Sequence, residues 1–286
     1  MNPREKKSQP PDSHFPAILL APFRAVFGPL TRRNVLSWLY LILIVLAIRW
    51  AWFEPFTIPS GSMEPTLHGN PKFLRGDRVA VNKFYYGLRF PFNGAKIPFT
   101  NKRVWYADNY LIKGHDPQRW DVVVFRSVDS DPESKILIKR IVGLPGERIR
   151  IADGKIHVNG EVVEPPESMP EVYYLTPEEM FYAYMQRVPP AERGQVAEMV
   201  REDVVKARYG VGGDDAHSVI PEGHYFMLGD NSPQSRDGRY FGWVPRRNIL
   251  GRTFCIWWPF NRWRDFTGFS GTWWGLLLLL GIPLAF

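Results

Sequence analysis

From Val35 to Ile48 the chain runs fourteen residues without a charged side chain, and beyond Arg49 the apolar character continues through Trp50, Ala51, Trp52 and Phe53. A helix needs roughly 20 residues, within a usable range of about 17–25, to cross the hydrocarbon core of a bilayer. Residues 35–53 meet that length if Arg49 snorkels to the far headgroups. Arg24, Arg32 and Arg33 precede the run, and the positive-inside rule then leaves the amino terminus in the cytoplasm. A cleaved leader would end in small residues, whereas Phe53-Glu54-Pro55-Phe56 follows here. The stretch before the run, Phe15 to Leu30, is apolar but broken by Pro16, Pro22, Arg24, Gly28 and Pro29, a pattern of an interfacial segment. The sequence therefore predicts a cytoplasmic or interfacial tail over residues 1–34, an uncleaved transmembrane anchor over 35–53, and an extracytoplasmic domain from 54 to 268. A last apolar segment, 269–286, reads either as a short second span or as an interfacial element.

Past the anchor the pattern changes to short β-branched and alternating runs. Arg78-Val79-Ala80-Val81-Asn82, Asp121 to Phe125, Lys135 to Gly143, Tyr225 to Leu228 and Gly251 to Trp258 read as strands. Arg148 to Ile151 and Lys155 to Val158 are joined by Ala152-Asp153-Gly154, a hairpin signal. Tyr85 to Arg119 is rich in glycine, proline, asparagine and aromatics and reads as an extended excursion. Between residues 161 and 222 the composition turns to helix formers. Thr176 stands as N-cap with Pro177 at the first helical position, and Pro189-Pro190-Ala191-Glu192-Arg193 opens a second helix. The fold class is thus mainly β: an antiparallel β domain with an extended hairpin excursion and a helical insertion at about 161–222, read as a solvated appendage, preceded by a transmembrane helix.

Two residues stand out for chemistry. Ser62 lies in Ile58-Pro59-Ser60-Gly61-Ser62-Met63-Glu64-Pro65-Thr66-Leu67, two hydroxyls between two prolines. Each proline fixes its own φ and biases its predecessor toward extended geometry, so the turn is stiff. A bare serine is a poor nucleophile and needs a base. Lys139 lies at the end of an apolar strand, where burial disfavours its ammonium. Acting as a base near neutrality would require its pKa to fall from about 10.4 to roughly 7–8, about 3–5 kcal/mol, which desolvation can supply. The adjacent Arg140 would add like-charge repulsion if it lay close in space.

Composition narrows the classes. The net charge of +7 is spread along the chain, with no dense basic helix, so nucleic acid is not the expected partner and an anionic lipid surface is. Eleven tryptophans cluster near the two apolar ends, as in interfacial belts. The single cysteine, Cys255, excludes an intrachain disulfide and sits among apolar neighbours. No Gly-rich phosphate loop or His/Cys cluster is present in the sequence, so neither metal nor cofactor is expected.

In this order, behind an anchor, the motifs resemble those of the type I signal peptidases, serine endopeptidases with a Ser/Lys dyad. They are Pro59 to Leu67, Gly76-Asp77-Arg78-Val79 with Asp121 to Phe125, Lys139 to Gly146, and Gly229-Asp230-Asn231 through Asp237-Gly238-Arg239. The resemblance covers roughly residues 35–165 and 220–258. It implies Ser62 as nucleophile and Lys139 as general base, with the Ser62 N–H and the Ser60 hydroxyl as oxyanion donors. It also implies Ser235 as the hydroxyl that orients the lysine. Asp230 with Arg140, and Asp237 with Arg239, are the supporting ion pairs, and Phe56, Ile58, Leu67, Val124 and Ile138 line shallow pockets for small side chains. The implied reaction is removal of signal peptides from exported preproteins at the cell membrane, after small residues in an Ala-x-Ala-like context. The implied partners are preprotein signal peptides, membrane phospholipid and the secretion translocon. One departure is Gly238, where the family often has serine. The rivals are a catalytically silent membrane-anchored peptide-binding or assembly protein on the same scaffold, and a self-cleaving Ser/Lys regulator.

Overall fold

The structure is a computed structural model that describes residues 31–51, 53–72, 75–89, 110–128, 136–212 and 214–266. The expected tail up to residue 30, the middle of the excursion (90–109) and the terminal apolar segment lie outside the described residues. Two units are present, residues 1–49 and 50–286.

Helix α1, Arg32–Ala51, takes up the long apolar run. Its side chains from Leu39 to Leu46 are exposed on every side of the helix, a pattern unlike the single apolar stripe of a helix docked on a core. Among the described residues no helix is long and apolar enough to cross a membrane; the side chains of residues 48–53 are not among those described.

The second unit is built from antiparallel sheets. Its strands are β1 (Phe53–Thr57), β2 (Arg78–Asn82), β3 (Gly87–Arg89), β4 (Tyr110–Lys113), β5 (Val122–Arg126), β6 (Ile136–Gly143), β7 (Ile149–Ala152), β8 (Lys155–Val158) and β9 (Glu161–Val162). Helices α2 (Pro177–Met185), α3 (Arg193–Val204) and α4 (Asp215–Ser218) follow. Then come β10 (His224–Leu228), α5 (Gly238–Phe241), β11 (Val244–Pro245), β12 (Ile249–Trp258) and β13 (Arg264–Asp265). The main sheet has the order β1-β2-β12-β5-β6-β10-β11, with β13 on β12. β3 and β4 form the base of the excursion, and β7, β8 and β9 a three-stranded sheet.

The sequence patterns explain the layout. In β5 successive side chains alternate between two cores, as period 2 requires. Val122 and Val124 pack with Ile58, Met63, Leu67, Val79 and Val81, while Val123 and Phe125 pack with Ile141, Met227 and Ile249. Both faces are covered, which is why this run reads as continuously apolar. The β7–β8 hairpin turns through Asp153 and Gly154, both at positive φ (51° and 75°), as a two-residue turn demands. Thr176 caps α2 and forms a capping box with Glu179, with Pro177 at the first turn. Cys255 is buried.

The pairing of β10 with β6 places the site. Leu228 stands opposite Arg140, so the chain leaves β10 beside Lys139 and enters the loop 229–237. Across β6, β5 pairs Val123 with Lys139. The lysine is thus held on a central strand, next to the loop that carries the acidic residues.

Candidate active site

Ser62 is the middle residue of a single 3-10 turn, Gly61–Met63, entered from an extended Ser60. The turn is fixed from below by Ile58, Met63 and Leu67, all buried in the first of the two cores. From the side, Asn231 donates its N–H to the Ser62 carbonyl (3.1 Å) and its Nδ2 to the Gly61 carbonyl (2.9 Å). Gly229 makes this approach possible. A Cβ there would stand 2.1 Å from Ser235 Oγ and 2.4 Å from the Ser62 carbonyl oxygen.

Lys139 Nζ lies 2.5 Å from Ser62 Oγ, and the two residues are 3% and 8% exposed. Burial pushes the amine down from 10.5 to about 8, against the carboxylates of Asp237 and Asp230, which favour the ammonium. Arg239 pushes it further down. Arg140 is not a source of this repulsion, contrary to the expectation from adjacency: its guanidinium is committed to Asp230. Nε and Nη2 donate to the two Asp230 oxygens at 2.8 and 2.6 Å. Nη1 donates to the Trp120 carbonyl, and Thr66 closes the cluster with a 2.5 Å bond to Asp230.

The second expected pair is also formed. Asp237 and Arg239 are fully buried and meet through two bonds of 2.9 and 2.8 Å. Burial alone would raise the Asp237 carboxyl, but the charge and donors of Arg239 and the Gly229 N–H outweigh it and hold it below its usual range. Gly238 has a local reason: an added Cβ would stand 2.7 Å from both the Met227 carbonyl and the Phe226 ring. The missing hydroxyl is therefore a matter of space behind the loop.

Ser60 is exposed, its Oγ 3.4 Å from that of Ser62. Ser235 departs from expectation. It is buried, but its Oγ has no hydrogen-bond partner here, and the anticipated bond to Lys139 is not formed; the hydroxyl is packed toward Gly229 instead. Of the five residues expected to line the specificity pockets, Ile58, Leu67 and Val124 are core residues with almost no exposed surface. Phe56 and Ile138 are half-buried on the same cluster. Thr66, Asn231 and Ser232 lie inside the motifs, but their residue types alone do not signal the bonds they make to Asp230, Gly61 and Arg239. The helical segment, expected to be a solvated appendage, reaches the site at its entrance, where the Arg239 side chain donates to the Leu175 carbonyl. No group of three or more potential metal-ligating side chains occurs among the described residues.

Chemically this is the arrangement of a hydrolase site in which an amine, rather than an imidazole, stands beside the hydroxyl. Comparison with known proteins gives the same class. The family described as "Signal peptidase, peptidase S26" matches residues 31–258. Signal peptidase I of Pseudomonas aeruginosa is 36% identical over 253 residues, covering 82% of this chain and 75% of that protein. Signal peptidase I of Pseudomonas fluorescens is 36% identical over 236 residues (78% and 72%), and that of Rickettsia typhi 30% over 237 residues (79% and 80%). The chain belongs to the S26 family of signal peptidases, and is a peptidase of that family.

Proposed function

We propose that the chain is a membrane-anchored serine endopeptidase that removes signal peptides from exported preproteins, with Ser62 as nucleophile and neutral Lys139 as general base. The observation that carries this reading is the buried 2.5 Å contact between Lys139 Nζ and Ser62 Oγ. In its neutral form the amine takes the Ser62 proton as Oγ attacks the scissile carbonyl; the resulting ammonium then donates that proton to the leaving amine, and the acyl-enzyme is released by water. The Ser62 N–H and the Ser60 hydroxyl are the oxyanion donors, and removal of one such donor costs about 10²–10³ in rate. The Arg140–Asp230 pair, with Thr66 on the same carboxylate, ties β6 and the serine segment to the loop after β10, and Asp237–Arg239 holds that loop in shape. Phe56 and Ile138 offer the surface for small substrate side chains, with Ile58, Leu67 and Val124 beneath them. Ser235 is the hydroxyl that orients the lysine during the reaction.

Residues 35–53 anchor the chain in the cell membrane with the catalytic domain outside the cytoplasm. Residues 1–34 remain on the cytoplasmic side, and residues 269–286 associate with the membrane. Phospholipid is the surface on which the enzyme works, and the translocon delivers its substrate. The test is to treat a purified preprotein with this protein in detergent and map the new amino terminus by mass spectrometry. Cleavage after a small residue at the end of the signal peptide, lost in Ser62→Ala and in Lys139→Ala, supports the reading. Undiminished processing by either variant refutes the dyad, and no processing by the wild type leaves the silent binding scaffold as the answer.

A further inference from the structure

We propose that Ser232 is a positioning residue: together with the backbone of Leu175 it locks the Arg239 guanidinium onto Asp237, making the helical segment a working part of the catalytic site. This rests on the Ser62–Lys139 reading above.

Arg239 is completely buried, so each of its five N–H donors needs an acceptor. Asp237 supplies two, at Nε and at Nη2. The second Nη2 hydrogen goes to the Ser232 carbonyl at 2.9 Å. Both Nη1 hydrogens go elsewhere, to the Ser232 hydroxyl at 2.9 Å and to the Leu175 carbonyl at 2.8 Å. The Leu175 N–H in turn donates to the Ser232 hydroxyl at 2.8 Å. Ser232 Oγ thus accepts from the catalytic loop and from the helical segment at once. Leu175 directly precedes Thr176, whose capping box fixes the start of α2, so the acceptor is presented by rigid backbone. Met180, on the same helix, covers the guanidinium.

The link to catalysis is electrostatic. The charged groups that act on Lys139 are Asp237 and Asp230, which favour its ammonium, and Arg239, which opposes it. Tyr174 and Tyr240 lie next to Arg239, and burial pushes the ionisation of both up, leaving them neutral. If Arg239 loses the Ser232 hydroxyl and is drawn by its remaining Nη1 partners, the Leu175 carbonyl and the Met180 sulfur, away from Asp237, the carboxylate is less neutralised and the lysine holds its proton to higher pH. The bonds of Ser232 run to Arg239 and Leu175 and not to the dyad, so substrate affinity should not follow.

The experiment compares pH profiles of kcat and KM for the full chain in detergent, on a preprotein peptide, for wild type, Ser232→Ala, Ser232→Thr and Ser232→Cys. Ser232→Ala should move the acidic limb upward and lower kcat below it about tenfold per pH unit of displacement, with KM unchanged. Ser232→Thr, which keeps the hydroxyl, should restore the wild-type limb. Should the alanine variant not fold, Ser232→Cys, a weaker acceptor of similar size, should show a smaller upward move. An acidic limb that stays in place in the folded variants, or a loss uniform across pH, overturns the proposal. Failure of the dyad reading is distinguishable, because Ser62→Ala would then still cleave.

Discussion

Asn231 and Gly61, 170 residues apart, are joined by a 2.9 Å hydrogen bond from the asparagine Nδ2 to the glycine carbonyl. With the Asn231 N–H on the Ser62 carbonyl, it makes the loop after β10 the wall against which the serine turn rests. Asn231→Ala removes the side-chain bond and keeps the backbone one. It should cost about 0.5–1.5 kcal/mol of stability and lower kcat more than it raises KM, because the turn that presents Ser62 loses a restraint. Denaturant unfolding and steady-state kinetics on one preparation check both.

Gly229 is the closest point of that wall. Gly229→Ala drives a methyl into the Ser62 carbonyl and the Ser235 hydroxyl. Overpacking of this kind costs about 1–3 kcal/mol, and here the strain falls on the turn itself. Activity should fall by orders of magnitude while the β-sheet signature in circular dichroism is retained; wild-type turnover in this variant would show that the loop and turn are not in rigid contact.

The Arg140–Asp230 pair tests the frame. Arg140→Leu strands a buried carboxylate whose remaining partner is Thr66, and breaking one side of a buried pair typically costs about 3–5 kcal/mol. The double variant Arg140→Leu with Asp230→Leu should recover much of that loss, because neither charge is then left alone. Thermal and denaturant melts of the single and double variants give the comparison.

Lys139 should cost the fold stability. In the unfolded chain its amine titrates near 10.5, and in the folded protein near 8. Below about pH 8 both states carry the proton and the folded state bears the full cost of a buried ammonium. Between 8 and 10.5 the unfolded chain binds a proton that the folded one has released, so this group's contribution to stability rises with pH. Lys139→Met should therefore be inactive yet more stable than the wild type below pH 8, by up to about 3 kcal/mol, with the gap narrowing as pH rises toward 10.5. Equal stability across that range would contradict a depressed lysine.

Much of this site was legible in the sequence. The two-proline serine turn is a local pattern, and it forms a 3-10 turn between its prolines; Lys139, expected at the end of its strand, stands instead in the middle of β6, Ile136–Gly143, and the Asp/Arg pairs were implied by the family resemblance rather than by their spacing. The strands and the α2 cap were legible for the same reason: period 2 and a Thr-Pro-Glu-Glu start are written in neighbouring residues. What escaped was carried by backbone and by distance. The carbonyls of Leu175 and Trp120 that satisfy Arg239 and Arg140 have no residue-type signature, since every residue offers one. Asn231 and Ser232 look like turn formers until the strand pairing of β10 with β6 brings their loop against Ser62. The repulsion on Lys139 comes from Arg239 across the loop, and not from its sequence neighbour Arg140, which Asp230 and Thr66 draw away. Ile58, Leu67 and Val124 were legible as apolar, but only packing shows that they lie under the surface rather than on it.

Everything turns on the Lys139 amine, in contact with Ser62, giving up its proton well below the range of an ordinary lysine. The most direct measurement is an NMR titration of the protein with nitrogen-labelled lysine in detergent, the Lys139 signal being assigned by its loss in Lys139→Met. One amine should lose its proton with a midpoint near 8, well below the exposed lysines. A Lys139 signal that stays protonated until about 10, alongside the others, would contradict it.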